Sequence, residues 1–396
     1  MIPLELVEGV RSSIPPRSMI SGIQIEGYRG FKRFEMNNLG RVNLLVGTNN
    51  SGKTSVLEAI EILSSRGDPV SLWSVLARRG EILAALLAPQ GPQGVRTQQI
   101  EADISHLFTG HEVHPGSTLS FTARNESPGR SVVFTVVEPS HKDRLEIFGP
   151  EDDGAAIPSR LALQIKGDPS PPVPIFPLSR NGGIVPGFLD PPRRRRAEGE
   201  GRPSQLITTD SLSGQQLVAF WDKVALTPAE DLVLRALKFL DPNIERIAPQ
   251  SGIGQQYFFG GATRPGGFIV KRKGIEHPIP IGSMGDGTWR MLALAIAITQ
   301  CKGGVLLVDE IDTGLHYTVM ADMWRLIFGA AKELDVQVFA TTHSFDCIQS
   351  LATVCASDTA ASDTVTLQRV EADKPRAVPY SEREIKIAAE RDIEVR

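Results

Sequence analysis

The chain has 396 residues, 41% of them hydrophobic and 22% charged, with a formal net charge of −4. That length suits two or three domains, or one elaborate α/β domain with insertions. The near-neutral balance excludes a global basic footprint, so any contact with nucleic acid would have to be a local patch.

Residues 1–19 read as a lead-in: MIPLELVEGVRSSIPPRSM has no apolar core of signal-peptide length and carries Glu5 and Glu8. Periodicity starts near Ile20. IQIEGYRGFKRFEM (Ile23–Met36) alternates around glycines and predicts a hairpin. RVNLLVG (Arg41–Gly47) is a short apolar run, the pattern of a buried central strand. From Thr54 to about Ser65, Val56, Ile60 and Leu63 recur at helical spacing, with Gly67 and Pro69 as stop signals. The Gly-rich stretch between them therefore joins a strand to a helix, and residues 20–90 form a first unit.

Residues 91–166 read as an antiparallel β subdomain: QQIEADI, TLSFTAR, RSVVFTVVE, RLEIFG and RLALQI alternate, with NESPG and PSHKD as turns. Residues 167–212, with PSPPVPIFP and DPPRRRRAEGEGRP, have the composition of a long loop. Arg193–Arg196 there suit a solvated loop charge partly balanced by Glu198 and Glu200; the alternative is a contact with nucleic-acid phosphates or acidic partners. Residues 213–250 return to helix in QQLVAFWDKV and PAEDLVLRALKFL, where Val233, Leu237 and Leu240, with Trp221 nearby, fall at core spacing.

Residues 251–396 complete the pattern. IPIGSMGDGTWRMLALAIAITQ is a Gly-rich turn feeding an apolar helix that begins near Trp289. GGVLLVDEID (Gly303–Asp312) is an apolar strand ending in acids, and VQVFATTHS (Val336–Ser344) is a second one ending at His343. Strands alternating with helices and ending in polar residues predict a largely parallel sheet with its site at the strands' C-terminal ends. No apolar run reaches the ~18 residues of a membrane span, and three cysteines (Cys301, Cys347, Cys355) without a CxxC pair fit a reducing compartment, so the cytoplasm is expected.

The chemistry sits at four places. Gly47-Thr48-Asn49-Asn50-Ser51-Gly52-Lys53-Thr54-Ser55 contains G-x-x-x-x-G-K-[ST], a match that arises by chance in roughly one chain in a hundred. Glycines let backbone N–H groups wrap phosphate oxygens, and the helix N-terminus adds partial positive charge. Lys53 would bridge the β- and γ-phosphates, and Thr54 would offer its hydroxyl to Mg²⁺. Asp309 at a strand tip can hold that Mg²⁺, and Glu310 can orient and deprotonate a water. Read alone, such an acid pair caps a turn; beside a phosphate loop it gains a role. His343 can hydrogen-bond a γ-phosphate. Ser283-Met284-Gly285-Asp286-Gly287 opens a helix and is a second anion-binding turn, with another protomer's nucleotide as its object. His111-Glu-Val-His114 is not a zinc helix motif, because HExxH spaces its histidines four apart.

The order GTNNSGKT, SMGDG, VDEIDTGLH, ATTHS resembles ABC-type ATPase heads, and more closely the RecF/OLD-like group of AAA-type ATPases of bacterial defence and DNA repair. IEGYRGFKRF…LGRVNLLVGTNNSGKTSVLEAI and the ending SEREIKIAAERDIEVR are similar to that group, and the likeness covers about 20–75 and 210–396. It implies an α/β P-loop NTPase with a mostly parallel central sheet, an antiparallel β subdomain and a helical insertion. It implies Lys53 and Thr54 on the phosphates and Mg²⁺, Asp309 on the metal, Glu310 as base, His343 as switch histidine and Asp312 as the start of the D-loop. The SMGDG turn matches the signature that caps ATP across a head-to-tail dimer. Aligned on Gly287, Gly285 stands where ABC proteins usually carry serine, with Ser283 as the candidate substitute; Gln98 and Gln99 are the candidates for the Q-loop.

The expectation is thus a Mg²⁺-dependent ATPase, a homodimer or higher oligomer off the membrane. The stretch after His343 leaves no room for the TOPRIM nuclease that ends many OLD proteins, so a separate, nuclease-like effector is expected, with nucleic acid a further candidate partner. There are two rivals: a nucleotide-gated scaffold with negligible turnover, which shares every motif, and a P-loop kinase acting on a small molecule, which needs neither the His343 strand nor the SMGDG turn.

Overall fold

The structure is a computed structural model and describes residues 19–86, 98–124, 130–140, 161–167, 175–179, 182–186, 201–210, 212–250, 267–357 and 365–391. Arg193–Arg196 and the RLEIFG segment lie outside these. In chain order the elements are β1 (Gly22–Tyr28), β2 (Phe31–Asn37), β3 (Val42–Val46), α1 (Lys53–Ser64), α2 (Pro69–Arg78), β4 (Ile82–Leu86), β5 (Gln98–Asp103), β6 (Thr118–Arg124), β7 (Arg130–Val137), β8 (Ala162–Gly167), β9 (Ile175–Pro177), β10 (Gly183–Ile184) and β11 (Ser204–Ile207). Then come α3 (Gly214–Trp221), α4 (Pro228–Leu240), β12 (Ile244–Gln250), β13 (Gly267–Arg272), β14 (Ile279–Pro280), α5 (Asp286–Gln300), β15 (Val305–Val308), α6 (Tyr317–Glu333), β16 (Gln337–Thr341), α7 (Phe345–Ser357), β17 (Val365–Arg369), β18 (Val378–Ser381) and α8 (Glu382–Glu390).

The central sheet has the order β11-β15-β16-β3-β17-β18, parallel throughout except for β18. Strands β15, β16 and β3 are buried at every residue, which is why they read in sequence as largely apolar runs rather than alternations. Side chains still alternate between the two faces. Val42, Leu44, Val46, Leu306, Val308, Val338 and Ala340 enter one core, formed with α3 to α7; Leu45, Val305, Leu307 and Phe339 enter the other, formed with α1 and the antiparallel strands. Ten of the twelve residues of α1 are buried, as a helix needs to be when it is covered on two sides. It packs between the parallel sheet and β6 and β7.

This α/β architecture matches the fold class read from the sequence, with differences in how segments are shared. The N-terminal hairpin does not stand apart from the antiparallel strands: β1 pairs with β6, giving one sheet of order β2-β1-β6-β7-β8-β9. The Pro/Gly/Arg-rich loop of 167–212 contains β11, which pairs in parallel with β15 and forms an edge of the central sheet. Four residues behind a run of prolines carry too little periodicity to announce a strand; the pairing comes from the exposed edge of β15. The helical segment 213–250 ends in β12, which pairs with β13, and its Trp221, Val233 and Leu237 are buried against the central-sheet core. α1 ends at Ser64, ahead of Gly67 and Pro69 as expected, and Pro69 is also the first residue of α2, where its missing N–H costs nothing. Among the described residues no helix is long and apolar enough to cross a membrane.

Candidate functional site

The parallel order decides what meets what. β15, β16 and β3 are adjacent, and all three point the same way. The residues after their C-terminal ends are Asp309-Glu310, Thr342-His343 and Gly47 onward, so three stretches distant in sequence meet at one edge of the sheet. They line a cleft of about 710 Å³ with Asn49 to Ser55, Asp309, Glu310 and His343 on its wall. That volume lies within the usual range for a ligand site.

The loop from Gly47 to Gly52 is shaped by its backbone. Gly52 has φ +98, and a Cβ there would lie 2.3 Å from the ring of Phe31; Gly47 has φ +146, and a Cβ would lie 2.2 Å from the Val370 carbonyl oxygen. Asn50 also takes a left-handed φ of 62. Ser51 is buried, and its Oγ lacks a hydrogen-bond partner. A cradle that admits no side chain at two positions and holds an orphan hydroxyl fits a phosphate group. We expect Gly52→Ala to weaken binding of a fluorescent ATP analogue at least tenfold, and to lower stability by about 1–2 kcal/mol through the left-handed backbone alone. Titration of the analogue and thermal unfolding read the two effects; unchanged binding would contradict the cradle.

Lys53 opens α1, and its Nζ donates to the carbonyls of Gly47 (2.9 Å) and Thr48 (2.8 Å). Burial lowers its pKa, while Asp309 and Glu310 pull it back up. Next in the helix, Thr54 Oγ1 donates to Asp309 Oδ2 at 2.9 Å. A hydroxyl and a carboxylate oxygen side by side are hard-oxygen donors of the kind Mg²⁺ takes, the remaining positions being those that phosphates and water fill.

Glu310 has φ 45, a left-handed backbone that costs a glutamate roughly 1–2 kcal/mol. Its N–H donates to Thr341 Oγ1 at 2.8 Å, and Thr313 Oγ1 donates to its Oε2 at 3.2 Å. His343 Nε2 lies 3.9 Å from Glu310 Oε1. Both side chains stay partly open, so a water can reach them.

The SMGDG turn sits elsewhere. Gly285 (φ +94) is the N-cap of α5, which starts at Asp286, earlier than the expected Trp289, because Gly287 falls in the tolerant first turn. Ser283, Gly285 and Gly287 do not line the cleft; Gly287 lies instead against the carbonyl of Gly314. Gln98 and Gln99 lie on β5.

Sequence reading passed over several residues here. Arg290, on the third turn-forming position after the glycines, is buried and donates to the carbonyls of Thr208 (2.8 Å), Asp309 (3.0 Å) and Glu310 (2.9 Å). Burial pushes it down to about 10, against Asp312, Asp309 and Glu310. Its one sequence signal is a lone arginine inside an apolar helix. On the cleft's other wall, Arg29 bridges Glu58 (3.0 Å) and Glu81 (2.7 Å), and Arg79 reaches Glu58 at 2.7 Å. Glu58 is buried on α1. The cysteines are no part of this chemistry: all three are buried, and burial raises Cys301 to about 12.

Two family models match the chain: "AAA ATPase domain" over residues 19–113, and "AAA domain, putative AbiEii toxin, Type IV TA system" over residues 233–346. Both segments are thus similar to AAA-type ATPase domains. Between them these AAA segments hold every residue of the cleft wall except Ala372. An "ATP/GTP phosphatase" of Helicobacter pylori is 22% identical over 353 residues, covering 84% of this chain and 87% of that protein. "Uncharacterized protein MJECL10" of Methanocaldococcus jannaschii is 37% identical over 60 residues, covering 15% of this chain and 27% of that protein. Among solved structures, the SMC head domain from Thermotoga maritima aligns with a TM-score of 0.44 and 12% identity, over 91% of this chain and 98% of that one.

Proposed function

We propose that the protein is a Mg²⁺-dependent ATPase whose nucleotide cycle drives dimerisation and thereby regulates a separate effector, in antiphage defence or DNA repair. The convergence of Lys53, Thr54, Asp309, Glu310 and His343 on one cleft carries this reading. Lys53 turns from the Gly47 and Thr48 carbonyls to the β- and γ-phosphates, which Gly47 to Gly52 cradle. Thr54 Oγ1 and Asp309 would hold Mg²⁺, which neutralises phosphate charge when bound. Glu310 takes a proton from a water that attacks the γ-phosphorus in line; the phosphoanhydride bond breaks and ADP leaves. His343, beside Glu310, hydrogen-bonds the γ-phosphate and reports its loss. The name of the Helicobacter pylori relative supports a nucleoside triphosphate as substrate.

The signature turn, absent from the cleft of its own chain, supports a second protomer's nucleotide as the object of Ser283, Gly285 and Gly287. Gly285 in place of the usual serine favours a slower variant of the same idea, a nucleotide-gated scaffold. A nuclease-like protein, with or without nucleic acid, is the partner we expect such a dimer to present a surface to. The test is phosphate release from ATP with Mg²⁺ and with EDTA, alongside sedimentation with ADP and with a non-hydrolysable ATP analogue. Mg²⁺-dependent turnover and a dimer with the analogue are expected. A dimer without turnover selects the scaffold, and neither would end both readings.

A further inference from the structure

The second threonine before the switch histidine, Thr341, is the last residue of β16 and fully buried. In the register of β15 against β16, Val308 stands opposite Ala340, so the next pair brings Asp309 beside Thr341 at the strand tips. Thr341 lies on the face of Leu45 and Phe339, toward α1, from which Thr54 also reaches Asp309. Its single hydroxyl is used in both directions. It donates to Asp309 Oδ1 at 2.6 Å and accepts the Glu310 N–H at 2.8 Å. Asp309 is thereby gripped at both oxygens, by Thr341 on Oδ1 and Thr54 on Oδ2. Glu310 is held by the same atom in its left-handed backbone. Thr342, next along, donates to Asp312 Oδ1 at 2.6 Å instead, so the two hydroxyls divide the acids between them.

We propose that Thr341 is a positioning residue for hydrolysis: one hydroxyl sets the rotamer of the metal-side carboxylate and the backbone of the general base together. The inference rests on the ATPase reading above. The bridge links the two acids that the ATPase reading assigns to metal and water, so a shift in one is passed to the other through a single oxygen. Because the hydroxyl is sealed from solvent, no water replaces it when it is lost. Valine keeps the shape of threonine and removes only the bridge; serine keeps the bridge and removes only a methyl group.

The experiment compares wild type, Thr341→Val and Thr341→Ser in steady-state ATP hydrolysis, with binding of a fluorescent ATP analogue and thermal unfolding as separate readouts. For Thr341→Val we expect kcat to fall ~10–100-fold, the scale of a small misplacement at a reacting centre, with KM and analogue binding within about threefold. Thr341→Ser should stay within about threefold of wild type in kcat. In a Glu310→Gln background the valine change should cost less in single-turnover rate than it does in wild type, because only its hold on Asp309 remains to be lost. If the valine variant unfolds, Thr341→Ala, which removes the bridge without setting a methyl group against the Glu310 N–H, takes its place with the same expectations. Unchanged kcat in an active protein overturns the proposal and leaves the ATPase reading standing. So do equal losses in the two backgrounds, or serine failing to restore the rate. A wild type that hydrolyses no ATP overturns both.

Discussion

Glu310→Gln should lower the rate of ATP hydrolysis about a thousandfold, within the range that positioned general bases contribute, and leave ATP affinity within a few-fold of wild type. The expectation follows from how the residue is held. Its left-handed backbone is tied by Thr341 Oγ1 at the N–H and by Arg290 at the carbonyl, and neither contact involves the side chain that is changed. Glutamine therefore keeps the fold of the loop and the Thr313 contact, and loses only the capacity to take a proton. Single-turnover phosphate release gives the rate, and filter binding gives the affinity. Sedimentation should find ATP-bound dimers persisting in the variant, since hydrolysis is the step that would release them. A variant that hydrolyses at the wild-type rate would remove Glu310 from the base role.

The parts of this site that were legible in sequence share one physical property. Each of these loops follows a strand buried on both faces, and such strands leave largely apolar runs: VNLLV before the Gly-rich loop, VLLV before Asp309, QVFAT before Thr342 and His343. The pattern marks where each strand ends, and the end is where the chemistry lies. The central-sheet order is less local. That β16 lies between β15 and β3, and so carries Thr341 to Asp309, is a matter of which strand pairs with which, and no single segment encodes it. The same holds for β11, whose Leu206 and Ile207 are buried in a sheet it joins by pairing with β15. Polar side chains that serve the site from outside its motifs were silent for a different reason. Thr341 is a common β-branched strand residue, and Arg290 and Glu58 read as single charges on helices, without the partners that give them meaning until the fold assembles.

Lys53→Ala should weaken ATP binding roughly 10–100-fold and bring turnover near background, because the lost contact is a charge-assisted one worth about 1.5–3 kcal/mol in binding and more where charge develops in the transition state. Thermal stability should change little. The Nζ contacts are with two loop carbonyls, Gly47 and Thr48, and the aliphatic stem packs at the start of a helix whose apolar residues bury most of its surface. Burial of the ammonium lowers its pKa from the ordinary lysine value. The sign of the pH effect follows. A group with a lowered pKa is charged below that value and neutral above it, and the triphosphate favours the charged form. Wild-type affinity for ATP should therefore begin to fall with rising pH before an ordinary lysine would titrate. The alanine variant, with no ammonium to lose, should show that alkaline fall only as far as other groups contribute. Isothermal titration at a series of pH values separates the two curves. Parallel curves would mean that the phosphates are held by the backbone cradle alone, and that Lys53 serves the loop rather than the nucleotide.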